Sequence, residues 1–313
     1  MLKQELNDIV SKISKELTVS LTDTENIIKK YIDMVAQRHA DVKPSTVFPP
    51  ICSGIAKLDS DIAIHPGITV IHSHPDMGRT SIAKRMAMAA YKQGKSTVYY
   101  DVENKLMIHN TKKFEGILLA QSYQESGLKE LVSNGLIDCM IVDTITGINH
   151  TSQESFVIKL RKHVPYIILT TQMRESYTMH KPRPAAREYV LSAANTIIEL
   201  KGKEKIVIEN VSVMKVQYNI AKYEADPTKV STKNSLIIRN NLVDNIYSIY
   251  DDIRSKGHIN SIGRTKYIAT DSDDIFLGAI KEIERDPKVT KELIDFGIKE
   301  LGLDSSNAEV YFD

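Results

Sequence analysis

The segment Val70-Ile-His-Ser-His-Pro-Asp-Met-Gly-Arg-Thr-Ser81 decides the fold of this chain. An alanine- and methionine-rich run follows it and leads to Ser96-Thr-Val-Tyr-Tyr-Asp-Val-Glu103. β-Branched residues end in a turn-forming Pro-Asp pair, and the turn passes into a run typical of a helix. The pattern predicts a strand, a loop, a helix and a second strand.

The loop in this segment is close to the phosphate-binding pattern of Gly, four residues, Gly, Lys and Ser or Thr. That pattern wraps backbone N–H groups around phosphates, while a cation and a hydroxyl reach the phosphate and Mg²⁺. Here the frame reads Ser73, four residues, Gly78, Arg79 and Thr80. The second glycine and the hydroxyl fit, whereas the first glycine is Ser and the lysine is Arg. The alternative is an ordinary strand-to-helix turn capped by Thr80 or Ser81.

Two later strands end in carboxylates, which favours a nucleotide site. The strand Val98–Glu103 ends at Glu103, and the strand Ile137–Thr144 carries Asp143 near its end. Parallel strands of an open α/β sheet place their ligands at the carboxyl ends. We therefore expect both carboxylates to converge on the loop.

Strand and helix patterns alternate up to Gln172, which predicts a parallel sheet covered on both faces. Between Thr196 and Arg239 the strand patterns follow one another directly. We interpret these as antiparallel additions to one edge of the sheet.

Composition restricts the function only weakly. The chain has 313 residues, of which 42% are hydrophobic and 26% charged. It has no apolar run near the ~18 residues of a membrane span and no signal-peptide core at its start, so we expect a cytoplasmic protein without a membrane partner. Cys52 and Cys139 lie in or beside apolar segments and are expected to be reduced thiols. Because the net charge is +1, nucleic-acid binding would need a local basic patch.

One segment could supply such a patch. Residues 174–187 are too rich in proline for regular structure, and they follow a predicted strand directly. The segment is either a solvated loop or a polyanion contact beside the strand ends. Its basic residues are Arg174, Lys181, Arg183 and Arg187.

Three regions are expected along the chain. Residues 1–45 form a helical N-terminal extension, either an appendage packed on its own domain or an arm that docks on a neighbouring subunit. Residues 46–242 form the core. Residues 243–313 form a small C-terminal domain with helices at 275–285 and 289–301 and a frayed polar tail after Leu303.

The order of these pieces resembles the RecA-type homologous recombinases, in one colinear pass from about Ile51 to Leu303. The C-terminal likeness is the most specific, because it separates this family from replicative helicases that share the core. The chain resembles a diverged member of this family, either phage-encoded or diverged in another way; for a phage-encoded member the expected location is the cytoplasm of the bacterial host. The matching motifs are Ser53-Gly54 with Leu58-Asp59, the loop, Tyr100-Asp101-Val-Glu103, Val142-Asp143-Thr144, Thr171-Gln172-Met173-Arg174, and the segments 246–257 and 276–301.

The resemblance implies a RecA-like P-loop NTPase core that uses ATP and Mg²⁺. It implies homo-oligomers, as a helical filament or a ring, on single-stranded DNA that is paired with homologous double-stranded DNA. The residues that would hold the nucleotide are Ser73, His74, Pro75, Asp76, Met77, Gly78, Arg79, Thr80 and Ser81.

The resemblance also assigns individual roles. Thr80 would bind Mg²⁺, and Asp143 would support the metal through water. Glu103 would activate the attacking water, and Gln172 would sense the γ-phosphate and relay it to the DNA-binding segment at Arg174, Lys181, Arg183 and Arg187. Lys215 would reach across a subunit interface to the neighbour's ATP.

Several positions depart from the family pattern. Arg79 keeps the charge of the usual lysine, but its guanidinium is bulkier and forked, so turnover is expected to be slow. Ser73 adds a Cβ where a glycine is usual. Gln217 replaces a second interface lysine, and Asn110 stands where an adenine-stacking tyrosine is common. The segment after Asp143 is short, so the first of the family's two DNA loops is largely missing.

Three functions stay open from the sequence. The first is a DNA-dependent ATPase that acts as a recombinase, which the retained Glu103 and Asp143 favour. The second is a catalytically weak or inactive paralogue that binds DNA or regulates a recombinase, which Ser73 and Arg79 favour. The third is a helicase-like ATPase on the same core, which the C-terminal likeness disfavours.

The basic segment gives a first testable prediction. The double substitution Arg183→Ala and Arg187→Ala removes two cations, so single-stranded DNA should bind more weakly and with a shallower dependence on salt. Each lost phosphate contact should lower the slope of log K against log salt by about 0.7. DNA titrations at several salt concentrations measure this slope. An unchanged slope in a folded variant would place the DNA contact elsewhere.

Overall fold

The structure is a computed structural model, and it describes residues 48–104, 116–121, 128–174, 183–186, 188–262, 265–268, 275–277 and 283–312. The expected N-terminal extension at 1–45 lies outside these residues. Among the residues described, no helix combines the length and the apolar character needed to cross a membrane.

One large mixed sheet forms the centre of the molecule. Its strands lie in the order β10-β9-β8-β7-β1-β5-β4-β2-β3, and β6 pairs with the end of β5. The strands from β7 to β3 in this order are parallel, and β8, β9 and β10 add to one edge in antiparallel fashion. The bounds are β1 Gly67–Ser73, β2 Thr97–Asp101, β3 Leu118–Ala120, β4 Cys139–Asp143, β5 Tyr166–Arg174, β6 Arg183–Pro184, β7 Thr196–Ile208, β8 Val211–Tyr223, β9 Lys233–Arg239 and β10 Leu242–Val243.

This arrangement confirms the predicted parallel sheet and its antiparallel edge. It also corrects one detail: the sequence pattern predicts separate strands at 196–200 and 205–209, whereas residues 196–208 form one continuous strand. The pairing of β7 with β8 has a register irregularity between Leu200 and Gly202. Such an irregularity bends a strand and interrupts the alternation of its side chains, which explains why the sequence pattern looked broken there.

Helices cover both faces of the sheet. They are α1 Ala56–Asp59, α2 Arg79–Lys92, α3 Leu128–Ser133, α4 Gln153–His163, α5 Glu188–Ser192, α6 Asn245–Ser255, α7 Pro287–Glu300 and α8 Ala308–Tyr311. Successive side chains of a strand point to opposite faces. In β1, Val70 packs with α3, α4 and α5, whereas Ile71 packs with α2. The face that carries α2 is called the α2 face below.

The C-terminal region contains a second, three-stranded sheet. Its strands are β11 Ile259–Ile262, β12 Thr265–Ile268 and β13 Ile275–Phe276. The expectation of a helix starting at Ile275 was wrong at its first residues, because they pair with β12. The helix expected at 289–301 is confirmed as α7, which Asp286 caps by accepting hydrogen bonds from the N–H groups of Lys288 and Val289.

The expected fraying of the tail after Leu303 was also wrong. Val310 and Tyr311 are buried, and α8 packs against α2. The cause is Arg85 on α2, whose side chain is only 1% exposed. Its guanidinium donates to the carbonyl oxygens of Tyr311 at 2.6 Å and Gly54 at 2.8 Å. A buried cation without acceptors would be very costly, so these carbonyl groups hold the tail in place.

Asn245 completes this contact. Its side-chain amide donates to the carbonyl oxygens of Gly54 at 2.8 Å and Tyr311 at 2.9 Å, and its Oδ1 accepts from the N–H of Ala56 at 3.1 Å. The start of the described chain, α2, α6 and the tail therefore meet at one buried polar point. We call this set of contacts the tail clamp.

Tyr311 tests the tail clamp. The substitution Tyr311→Ala empties a buried site, so the free energy of unfolding should fall by about 3–5 kcal/mol. Urea denaturation measures this change. Glu309→Ala on the exposed side of α8 is the matched control and should change stability by less than about 0.5 kcal/mol. If Tyr311→Ala changed the free energy of unfolding as little as the control, the tail would not contribute to the core.

Candidate nucleotide-binding site

The loop at 73–78 has a shape that only its second glycine permits. Gly78 has φ +90, and a Cβ there would lie 2.2 Å from Cδ1 of Ile238 on β9. Helix α2 begins at the next residue, and no side chain caps it. The alternative of a turn capped by Thr80 or Ser81 is therefore wrong. The loop leaves the first N–H groups of α2 for another partner, as an anion-binding helix terminus does.

Ser73 is tolerated in place of the usual first glycine. It is fully buried, and it is not among the residues with positive φ. Its hydroxyl donates to the carbonyl oxygen of His74 at 2.7 Å. The positive φ in this loop falls instead on Asp76, at 58°. Residues 74–76 are exposed, and Met77 anchors the loop in the core.

Arg79 folds back onto the loop that precedes it. Its Nη1 donates to the carbonyl oxygen and the hydroxyl of Ser73, the latter at 3.2 Å, and to the carbonyl oxygen of His74 at 3.3 Å. Partial burial lowers the pKa of the guanidinium, while Asp143, Glu103 and Asp76 raise it. The guanidinium therefore interacts electrostatically with both predicted carboxylates.

Asp143 lies on the α2 face and is 8% exposed. Its Oδ2 accepts from the hydroxyl of Tyr99 at 2.7 Å, and its Oδ1 accepts from the hydroxyl of Thr170 at 2.6 Å. Burial, with Asp143 as the next cause, raises the pKa of Tyr99 well above its usual value, so Tyr99 stays a hydrogen-bond donor. Asp101 pairs in register with Asp143 on the neighbouring strand.

Glu103 and Gln172 meet at the same edge of the sheet. Nε2 of Gln172 lies 3.5 Å from Oε1 of Glu103. Gln172 is also the register partner of Ser73, because β1 and β5 are adjacent and parallel. The structure thus brings together the loop, Glu103, Asp143 and Gln172. Their chemical roles stay predictions.

Two lysines near the loop were missed by sequence reasoning. Lys84 is half-buried on α2, and burial lowers its pKa while Asp143 and Asp101 raise it. It follows Thr80 by four residues, a spacing that puts both side chains on one side of a helix. Lys203 on β7 donates from Nζ to the carbonyl oxygen of Asp76 at 3.0 Å. Strand β7 runs parallel to β1 and pairs Leu200 with Ser73, so the contact depends on the pairing of strands that are distant in sequence, and no local pattern could indicate it.

The predicted roles of Thr80 and Asp143 at Mg²⁺ stay predictions. Mg²⁺ needs near-octahedral oxygen ligands and keeps several waters. Both oxygens of Asp143 already accept hydroxyl hydrogen bonds, and the cations of Arg79 and Lys84 interact with the same carboxylate. In the described ranges, no three His, Cys, Asp or Glu side chains are grouped as metal ligands.

The basic segment begins on the strand that carries Gln172. The backbone pairs Arg174 with Arg183, so the chain leaves β5 and returns to it. The N–H of Ala185 donates to the carbonyl oxygen of Gln172 at 2.7 Å. Lys181 and Arg187 lie outside the described residues.

Lys215 does not join the site within this chain. It precedes Val216, which packs on the α2 face, so Lys215 points to the opposite face of β8. There its Nζ forms an ion pair with Oδ2 of Asp251 at 2.6 Å. Its predicted role at a neighbour's nucleotide stays a prediction.

Comparisons with known proteins give only a distant likeness. The sequence matches no family model and no curated protein. Among solved structures, the chain is similar to the crystal structure of the RadB recombinase, with 16% sequence identity and a TM-score of 0.46. The match covers 62% of this chain and 98% of the other. A likeness at this level supports no inference about function.

Gly78 provides a test of the loop geometry. Gly78→Ala introduces both a left-handed strain and an overlap with Ile238, so it should cost about 3 kcal/mol of stability. Gly94→Ala is the matched control, since Gly94 has φ +73 and nothing within 4 Å of its added Cβ; strain alone should cost about 1 kcal/mol. Urea denaturation measures both.

Ile238→Val removes the Cδ1 atom that the new Cβ would meet. Combined with Gly78→Ala, it should lower the cost by at least about 1 kcal/mol relative to the sum of the single variants. Additive effects would mean that the loop does not approach Ile238 closely.

Proposed function

We propose that this protein binds ATP at the 73–81 loop and couples this to single-stranded DNA binding by residues 174–187, as a RecA-type recombinase does. The observation that carries the proposal is the double role of Gln172. Its side chain meets Glu103 at 3.5 Å, and its carbonyl oxygen accepts the N–H of Ala185. One residue thus links the candidate nucleotide site to the start and the return of the basic segment.

The loop supports ATP as the ligand. Its helix begins without a side-chain cap, and unpaired N–H groups at such a terminus favour phosphate. Arg79 and Lys203 add positive charge at the loop. Glu103 lies at the strand ends, where a carboxylate can orient a water toward the γ-phosphate. Turnover should be slow, because Arg79 must leave the carbonyl groups of Ser73 and His74 to meet a phosphate.

The basic segment supports DNA as the partner. Phosphate contacts dominate the affinity for single strands, and several basic residues in one segment supply them locally. Because the net charge of the chain is only +1, the whole protein does not attract DNA. The attraction must come from a local group of basic residues, and this segment supplies one. Filament or ring assembly, homologous pairing and the reach of Lys215 to a neighbour belong to the same proposal. For the last of these, Lys215 must exchange its ion pair with Asp251 for the new contact.

A second candidate is a paralogue that binds DNA or a recombinase without hydrolysing ATP. The specific observation in its favour is the position of Arg79, whose guanidinium is engaged by its own loop. The retained pairing of Glu103 with Gln172 favours the first candidate.

An ATP hydrolysis assay distinguishes the two candidate functions. Phosphate release from ATP should rise when single-stranded DNA is added, and Glu103→Gln should lower it by about 100-fold or more, since a positioned base contributes at least that much. A phosphate-release assay with and without DNA measures both. Glu309→Gln on the exposed side of α8 is the matched control and should leave the rate unchanged. Absence of DNA stimulation, or full activity of Glu103→Gln, would favour the second candidate.

A further inference from the structure

A bulge in strand β7 turns an exposed lysine toward the α2 face. Strand β7 pairs with β1 as far as Leu200, and it then continues past the end of β1. On β8, Tyr218 pairs with Leu200 and Val216 pairs with Lys203, so a step of three residues on β7 matches a step of two on β8. A bulge of this kind shifts the alternation of the side chains that follow it. Lys203 therefore takes the place on the α2 face that an unbroken strand would give to Gly202.

The ammonium of Lys203 reaches the middle of the 73–78 loop. Its Nζ donates to the carbonyl oxygen of Asp76 at 3.0 Å. Its strand partner Val216 lies beside the second glycine of the loop, because a Cβ on Gly78 would be 4.0 Å from Cγ2 of Val216. A direct contact and the strand pairing thus place Lys203 at the part of the loop that precedes α2.

The charge of Lys203 is not paired with a carboxylate anywhere in the described part of the chain. Other lysines of the same two strands do have such a partner: Lys201 forms an ion pair with Glu199 at 3.1 Å, and Lys215 forms one with Asp251 at 2.6 Å. An ammonium has three N–H donors, and the loop carbonyl accepts one of them. The positive charge and the remaining donors can therefore serve an anion bound at the loop.

Arg79 is engaged at a different part of the loop. Its Nη1 donates to Ser73 and His74, the first two residues of the loop. A guanidinium is a rigid planar fork, whereas an ammonium is a compact point charge of the kind that phosphate-binding loops use. Arg79 thus fastens the beginning of the loop, while a lysine from another strand stands at its middle.

We propose that Lys203 binds the β- and γ-phosphates of ATP at this loop, which is the role that the phosphate-loop pattern gives to a lysine at position 79. The cation comes from a neighbouring strand, and the bulge in β7 directs it to the loop. This inference rests on the proposed ATP site and adds to it a binding residue that lies outside the loop.

The test measures the affinity of the full chain for ATP and for AMP. Each nucleotide displaces a fluorescent ATP analogue, and the displacement is followed by anisotropy. Lys203→Met should weaken ATP binding by about tenfold or more, because it removes a charged hydrogen-bond donor from the phosphates. AMP has neither a β- nor a γ-phosphate, so its affinity should change by less than about twofold.

Lys205→Met is the matched control. Lys205 is also exposed, and it lies on the same face of β7, about 7 Å farther along the strand. The substitution removes the same charge, but solvent and salt screen it from the loop, so ATP affinity should change by less than about twofold. Both positions are exposed, so both variants should fold, which circular dichroism with a thermal scan verifies.

Three outcomes would overturn the inference and leave the proposed function intact. They are an unchanged ATP affinity in Lys203→Met, an equal loss in Lys205→Met, and an equal loss for AMP. The second would indicate a long-range effect of charge, and the third a general loosening of the loop. A folded wild type that binds no ATP would overturn the proposed function itself.

Discussion

The close approach of α2 to the sheet is the constraint on which the rest of the structure depends. Gly78 lets the helix start against Ile238, where any side chain would collide. Once α2 is placed, its residues reach four different groups. Arg79 contacts the loop, Lys84 interacts electrostatically with Asp143 and Asp101, Arg85 contacts the tail, and Lys92 donates to the carbonyl oxygen of Phe312 at 2.6 Å. One helix thus positions both the candidate site and the end of the described chain.

The parallel strands supply the other half of the site. Because side chains alternate along a strand, Ser73, Gln172 and Asp143 share the α2 face while their neighbours fill the opposite core. Strand β5 has a particular position in this arrangement. It lies beside β1 and β4, and it continues into the pairing with β6. Strand β5 therefore joins the candidate nucleotide site to the start of the basic segment.

The features that follow from local pattern were predicted from the sequence, and those that depend on distant contacts were not. Alternating apolar residues and turn-forming residues mark three features in the sequence itself: the loop frame, the carboxylates at the strand ends and the antiparallel edge. Lys203 reaches the loop from the neighbouring strand β7, and Arg85 meets residues far along the chain. The tail was expected to fray because its residues are polar. The group that accepts from Arg85 is a backbone carbonyl oxygen, so the composition of the tail does not indicate this contact.

The tail clamp has a consequence for the order of folding during synthesis. Arg85 and the carbonyl group of Tyr311 that it holds are 226 residues apart in the chain. Domains tend to form as the ribosome releases them, but contacts of such separation form late. The contact between Arg85 and the tail can therefore form only after translation has passed residue 312.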